Sequence, residues 1–473
     1  MEYRDRLSLA AGRAVASLAV ACIALAASAQ GTWTKLNHVA PGSCETALLL
    51  TDGTVMVHSW DDYQNWFKLT PDASGSYVNG TWTSLANMIT GRLYFPNATL
   101  QDGRIWVAGG EYLSNSGDHN AMEVYDPVKN TWTAGPDSPS QSVGDTGASL
   151  LPDNTVLASN WSNTQTNVWS PLTNSWTVSG NMFVDSGDEE SWLPLPDGSI
   201  WNPFRVGQRY WYLTHSWYPT PKLPAVLVDG AFEIGPAIEL YYNNLSMILG
   251  STGHTVLYRW TPLMAGPGFY HTGADIPNGM ISSDCPAAVE PNGKVLLVAT
   301  PTDYGSTYFF EYDPTTNSFT SVQGPNVTLP VSYAMRFLNL PNGQILCTLA
   351  DNDPWVYTPV GGPDDSWRST VTNVSANGDG SYTLTGTQLN GLTNGSAYGD
   401  EADPFSNFPI VYLDNGAGHV YFCRTFNRNP LTITIGGTPM STEFTLPASL
   451  PHGTYSLYVS ANGVSSHAYS FTY

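Results

Sequence analysis

A short turn recurs along this chain and restricts what the chain can fold into. Asp52-Gly53, Asp102-Gly103, Asp153-Asn154, Asp197-Gly198, Gly253-His254, Asn292-Gly293 and Asn342-Gly343 each separate two apolar runs. Asp-Gly and Asn-Gly between apolar strands mark tight hairpins, because both residues tolerate the positive φ of a type I′ turn. The mean period is roughly 48 residues, in the range of radial β repeats. The later part of the unit repeats as well. Tyr125-Asp126-Pro127 leads to Asn130-Thr131-Trp132, Trp169-Ser170-Pro171 to Asn174-Ser175-Trp176, and Tyr312-Asp313-Pro314 to Asn317-Ser318-Phe319. A strand, a proline turn and a strand opening on an aromatic place one large ring per unit where it can wedge between neighbouring sheets. The pattern predicts an all-β chain whose first domain is a seven-bladed β-propeller. Because the fourth and fifth units are degenerate, six and eight blades are the alternatives.

Gly109-Gly110 followed by Tyr125 and Trp132 completes a kelch-type unit. An additional strand, Gly31-Thr32-Trp33, precedes the first turn and is expected to close the ring on the last blade, which protects otherwise open edges. After Trp367 the period is lost. Residues 372–473 carry alternating strands spaced by Gly, Asn and Pro, a pattern expected of an immunoglobulin-like β-sandwich. The propeller is therefore assigned to 30–371 and the sandwich to 372–473. No Gly/Ser-rich linker separates them, so a fixed interface is expected.

Residues 1–29 read as a signal peptide. Arg4, Arg6 and Arg13 precede an apolar run from Val15 to Ala27, and Ala27-Ser28-Ala29 is a small-residue cleavage site. The run is too short to span a bilayer comfortably, so the mature chain is expected to be secreted, with no membrane span. The net charge of −22 excludes nucleic acid and anionic membranes as natural partners. Cys44, Cys285, Cys347 and Cys423 remain after cleavage; their spacing matches no structural zinc site and leaves three full disulfide pairings open.

The mature chain resembles the galactose oxidase and glyoxal oxidase group, copper radical oxidases that combine a kelch propeller with an immunoglobulin-like C-terminal domain. The resemblance implies a copper held by two tyrosines and two histidines, one tyrosine thioether-linked to a cysteine beneath a tryptophan. Cys44 in Gly42-Ser43-Cys44-Glu45 fits the linking cysteine, and Tyr94 in Gly91-Arg92-Leu93-Tyr94 fits the linked tyrosine. Tyr112, after Gly109-Gly110, replaces the stacking tryptophan. Tyr333 fits the axial tyrosine, but the adjacent histidine position is Ala334. The second histidine aligns with Arg424 in Cys423-Arg424-Thr425-Phe426-Asn427. Copper(II) of this kind wants imidazole nitrogen together with phenolate oxygen. Alanine offers no ligand, and a guanidinium does not deprotonate. His419 and the Tyr270-His271 pair are the alternative imidazoles, the latter far from the required register.

No cofactor or metal is therefore expected. The pocket of Cys44, Tyr94, Tyr112, Tyr333 and Arg424 suggests a non-catalytic protein that binds a glycan or another extracellular ligand, with Arg424 forking to a sugar carboxylate. Two alternatives stand beside it: an extracellular copper radical oxidase with altered ligands, and a structural wall or matrix component. Asp185-Ser186-Gly187-Asp188-Glu189-Glu190 and Asp351-Asn352-Asp353 offer carboxylates to calcium, yet neither completes a known loop spacing and both read as solvated turns.

Overall fold

The computed structural model describes residues 30–112, 120–184, 186–242, 244–399 and 404–473; the expected signal peptide lies outside them. Seven antiparallel sheets, each built on four strands, surround one axis. Blade one is Cys44–Leu49, Val55–Ser59, Trp66–Thr70 and Thr81–Ser84, and its inner strand is buried throughout. Blades two to six follow in order, with inner strands Asn97–Thr99, Ala148–Leu150, Leu193–Pro194, Ala237–Glu239 and Ala287–Val289. Blade seven takes Arg336–Asn339, Ile345–Thr348 and Trp355–Thr358 from the end of the propeller and Thr32–Lys35 from its start. The closing strand pairs from Thr32↔Thr358 to Lys35↔Trp355. Trp33 lies against Phe309 and Tyr357 and donates its Nε1–H to the carbonyl of Gln323 at 2.8 Å. The ring thus has seven blades, sealed by the first described residues.

Aromatics on the outer strands do what the repeat demanded. Trp82, Trp132 and Trp176 donate their indole N–H to His38 O, Ala86 O and Pro136 O, each a carbonyl in the segment ahead of their own blade. Each ring therefore buries its apolar body between sheets and satisfies its one donor. One turn needs correcting. In blade five the inner strand ends at Glu239 and the second strand begins at Leu245, so the inner hairpin closes between those two residues. Gly253-His254 joins the second and third strands, at the opposite face. The fifth unit has no Gly turn at its inner hairpin, and the nearest one in the sequence belongs to the next hairpin.

The C-terminal domain is an eight-stranded antiparallel sheet from Thr370–Ala376 to Tyr469–Thr472. It is folded round a core of its own, in which Leu384, Met440 and Phe444 meet Val411, Leu457, Val459 and Phe471. That core is what makes the sheet a sandwich in form. The domain sits on the propeller face that carries the inner turns. Thr425 N–H bonds Thr51 O at 3.0 Å, and Asn427 N–H bonds Gln101 O at 2.9 Å. A Cβ on Gly53 would stand 2.4 Å from Phe422, so this glycine serves both the turn and the close approach of the second domain. The four described cysteines, Cys44, Cys285, Cys347 and Cys423, are free and buried, with no disulfide among them.

Candidate ligand site at the propeller axis

In each blade the chain enters its inner strand at the face opposite the C-terminal domain. Cys44, Tyr94, Asp145, Glu189 and Asp284 occupy the same repeat position there, each eight residues ahead of the Asp or Asn that opens the turn. Tyr94, Asp145, Glu189 and Asp284 share a left-handed backbone, with φ of 49°, 50°, 56° and 44°. Non-glycine residues adopt this region at a cost of about 1–3 kcal/mol, so four in one ring mark a shape that the packing enforces. The bend delivers successive side chains to the axis. There, Tyr94, Tyr112, Tyr304, Tyr333 and Tyr398 join Glu111, Asp145, Glu189, Glu233 and Asp284 around a cavity of about 230 Å³.

The aromatic wall is continuous. Tyr304 meets Tyr333 edge-on at 5.6 Å, Trp60 lies 6.3 Å from Tyr333 and 6.2 Å from Tyr94, and Tyr94 meets Tyr112 at 5.9 Å. Burial pushes the Tyr94 phenol well above its ordinary value, so it is a neutral hydroxyl at any physiological pH. Tyr112, 59% exposed, stands at the rim. On the acidic side, oxygens of Glu189, Glu233 and Asp284 lie within 4.8 Å of one another, a spacing one hard cation could span.

Beneath the pocket runs a buried ionic chain. His58 Nδ1 lies 2.9 Å from Glu45 Oε2, and Arg336 donates to Glu45 Oε1 at 3.0 Å and to the carbonyl of Tyr333. The Arg336 guanidinium also stacks 3.6 Å from the ring centre of Tyr398. Burial alone would raise the Glu45 pKa; the Arg336 charge and the His58 hydrogen bond outweigh it and hold it at about 2.

The residues named from sequence separate into two groups. Tyr94, Tyr112 and Tyr333 line the cavity. Cys44 lies in the core of blade one with Leu36, Ala40 and Leu338, its thiol turned to Gly42 O at 3.7 Å and raised in pKa by burial. Ala334 is buried behind Tyr333. Arg424 does not reach the pocket. It lies at the interdomain face, donating to Asp102 O at 3.3 Å and stacking on Phe426 at 4.6 Å. Its hairpin packs under the inner turns, at the far end of the inner strands from Tyr94. The C-terminal domain reaches the site through Tyr398 instead. Ser396–Ala397 enters the channel and pairs with Ala287 and Ala288 of blade six. Ser396 Oγ bonds Asn339 Oδ1 at 2.6 Å, and Tyr398 follows directly. His419 stacks on Tyr421 in the C-terminal domain, and His271 is exposed on the outer strand of blade five, so neither imidazole enters the pocket.

The donors among the described lining residues do not fit a copper centre of the galactose oxidase kind. Among the described lining residues none is a histidine, the two phenols are parted by Trp60, and a guanidinium lies directly behind them. Hard carboxylate oxygens and neutral phenols do not replace paired imidazoles for copper(II).

The comparisons with known proteins agree with the fold. A kelch motif model matches residues 92–139. No curated protein matches the sequence. A fungal alcohol oxidase of the AA5 family, solved in complex with copper, superposes with a TM-score of 0.58 at 16% identity, over 94% of this chain and 99% of its own. A catalytically inactive virginiamycin B lyase from Staphylococcus aureus, solved with quinupristin, superposes with a TM-score of 0.51 at 10% identity, over 70% of this chain and 100% of its own. The chain thus carries a kelch motif in its second blade, and its propeller and C-terminal domain together share the fold of that alcohol oxidase.

Proposed function

We propose that this chain is a secreted, non-catalytic carbohydrate-binding protein built on an oxidase-type scaffold, with its ligand at the propeller axis. The observation that carries the reading is the cavity wall itself, five tyrosines facing five carboxylates. Tyrosine rings stack on the apolar faces of sugars, and carboxylates accept hydrogen bonds from vicinal hydroxyls. With Arg424 at the other face, the wall offers an acidic sugar no counter-charge among the described lining residues. The pocket therefore suits neutral sugars and, better still, amino sugars, whose ammonium would meet carboxylates with aromatic rings beside them.

The test is calorimetry of the mature chain with glucosamine, N-acetylglucosamine and galacturonate oligomers. Glucosamine oligomers are expected to bind tightest and galacturonate oligomers not at all. Glu233→Gln and Tyr304→Ala should each weaken binding about tenfold or more. Equal binding of galacturonate, or indifference to both substitutions, would overturn the reading. Copper-loaded protein under air supplies the second arm. Peroxide release on primary alcohols, with a loss of two hydrogens localised to Cys44 and Tyr94, would establish the oxidase alternative instead.

A further inference from the structure

Four arginines are buried among the described residues, and three of them meet a carboxylate: Arg92 meets Glu123, Arg209 meets Asp197 and Arg336 meets Glu45. The fourth, Arg428, is held by uncharged groups. It donates through Nη1 to Leu100 O at 3.3 Å and through Nη2 to Thr99 O at 2.9 Å, and it lies 5.4 Å from the ring centre of Phe408. The acid whose charge reaches it is Asp102, and that carboxylate is taken by Arg104 Nε at 2.7 Å. Burial pulls the guanidinium down to about 10, so it is still a cation at neutral pH. A buried charge is ordinarily paired, because leaving water without a counter-charge is costly.

Arg428 lines a cavity of about 40 Å³ between the two domains. The cavity lies at the inner-turn end of blades two and three, and the carboxylate-rich axial pocket lies at the other end of the inner strands. Leu151, Phe408 and Ile433 supply apolar wall. Asn97 of blade two and Ser149 of blade three supply polar wall, and with Arg428 they are exposed by 6% or less. Each of these three side chains has a buried atom with no hydrogen-bond partner among the described residues: Arg428 Nε, Asn97 Nδ2 and Ser149 Oγ. The two nitrogens can only donate, and the hydroxyl donates once its proton rotates. What the cavity lacks is an acceptor. A water would satisfy the donors but leave the guanidinium charge uncompensated. A dianion would bring a second charge against apolar walls. The volume exceeds the roughly 10–15 Å³ that admits one water, which suits a single larger sphere.

We infer that the cavity binds one monovalent anion of halide size, chloride in a saline medium, held by Arg428 with the Asn97 and Ser149 donors. The anion thereby ties the C-terminal domain to blades two and three. The site is separate from the proposed sugar pocket and stands or falls independently of it.

The experiment has a crystallographic and a solution arm. The mature chain is purified and crystallised in sodium bromide with chloride excluded, and anomalous diffraction is collected at the bromine edge. A peak is expected in the cavity, within hydrogen-bonding reach of Arg428 Nε. In solution, chloride replaces gluconate at constant ionic strength, gluconate being too large for the cavity. The melting temperature should rise by about 2 °C and saturate. Arg428→Met, which keeps the apolar bulk without the charge, should lose the chloride response. Asn97→Asp, which places a fixed carboxylate in the same shape, should lose it too and melt in gluconate no lower than the parent. The inference is overturned if the cavity shows no anomalous peak, which would make its occupant water. It is equally overturned if the melting temperature ignores the exchange of gluconate for chloride, or if both folded variants respond to chloride as the parent does. Should neither variant fold, the bromide peak and the parent's chloride response decide.

Discussion

Arg336 supports the axial site more than any other single side chain. It is 1% exposed, and it ties Glu45 of blade one to Tyr333 of blade seven and to Tyr398 of the C-terminal domain. Removing one partner of such a chain leaves an uncompensated buried charge, here Glu45. Arg336→Ala should therefore cost about 3–5 kcal/mol of stability, read from chemical denaturation. Arg336→Met with Glu45→Gln, which removes both charges, should cost less; if the double variant is no better than the single, the unpaired-charge account fails. The same residues show what the sequence could reveal. Tyr94 and Tyr333 could be placed because each keeps a fixed distance from a hairpin turn, and that spacing also reaches Asp145, Glu189 and Asp284. Glu233 escapes it, since the inner turn of its blade has no glycine. Tyr398 belongs to no repeat at all. It arrives through a strand that leaves the C-terminal domain and pairs inside the channel, and no local pattern announces such a long-range pairing.

At the scale of elements, the hairpin turns do two things, and the sequence disclosed only one. Asp-Gly and Asn-Gly sequences reveal the inner hairpins directly. They do not reveal that these same turns form the docking floor for the second domain, because the contact depends on Phe422, Thr425 and Gly463 more than seventy residues beyond the last turn. That is why alignment with a family loop put Arg424 in the pocket and the fold puts it at the interface. Arg424→His is accordingly expected to leave sugar affinity and copper content unchanged, measured by calorimetry and elemental analysis. A change in either would mean that the interdomain face and the axial site communicate. The closing strand, by contrast, could be read from Trp33 alone. Its ring fills the seam between blades six and seven, and it is half buried, so Trp33→Ala should cost about 2–3 kcal/mol, somewhat less than full burial implies. A substitution with no effect on the unfolding midpoint would show that the ring closes without it.

Across the whole molecule, acidity and burial combine into a pH dependence with a defined sign. Glu239 is buried in blade five, where it accepts hydrogen bonds from Ser246 and Trp260, and burial lifts its pKa to about 7. Glu290, at the end of the inner strand of blade six, is lifted to about 8 by burial and then by the neighbouring Glu311. Both hold a proton in the folded state that they release at about 4.5 when unfolded. Their contribution to stability is fully present below pH 4.5 and is lost as the pH rises through 7 and 8. Glu45 runs the other way. Held at about 2, it stabilises the fold above pH 4.5 and ceases to do so as the pH falls towards 2. The optimum therefore lies near pH 4.5–5, and the melting temperature should fall by several degrees between pH 5 and pH 8. A net charge of −22 pushes in the same direction through self-repulsion, so the slope alone does not identify its source. Salt and substitution separate the two. Self-repulsion is screened at 0.5 M salt, whereas buried carboxyls are not. The Glu239→Gln, Glu290→Gln double variant keeps the hydrogen-bonding shape without the titrating proton. In high salt it should melt at nearly the same temperature at pH 5 and pH 8, while the parent chain still declines. If parent and variant keep the same slope there, the two buried glutamates are not the groups that set it.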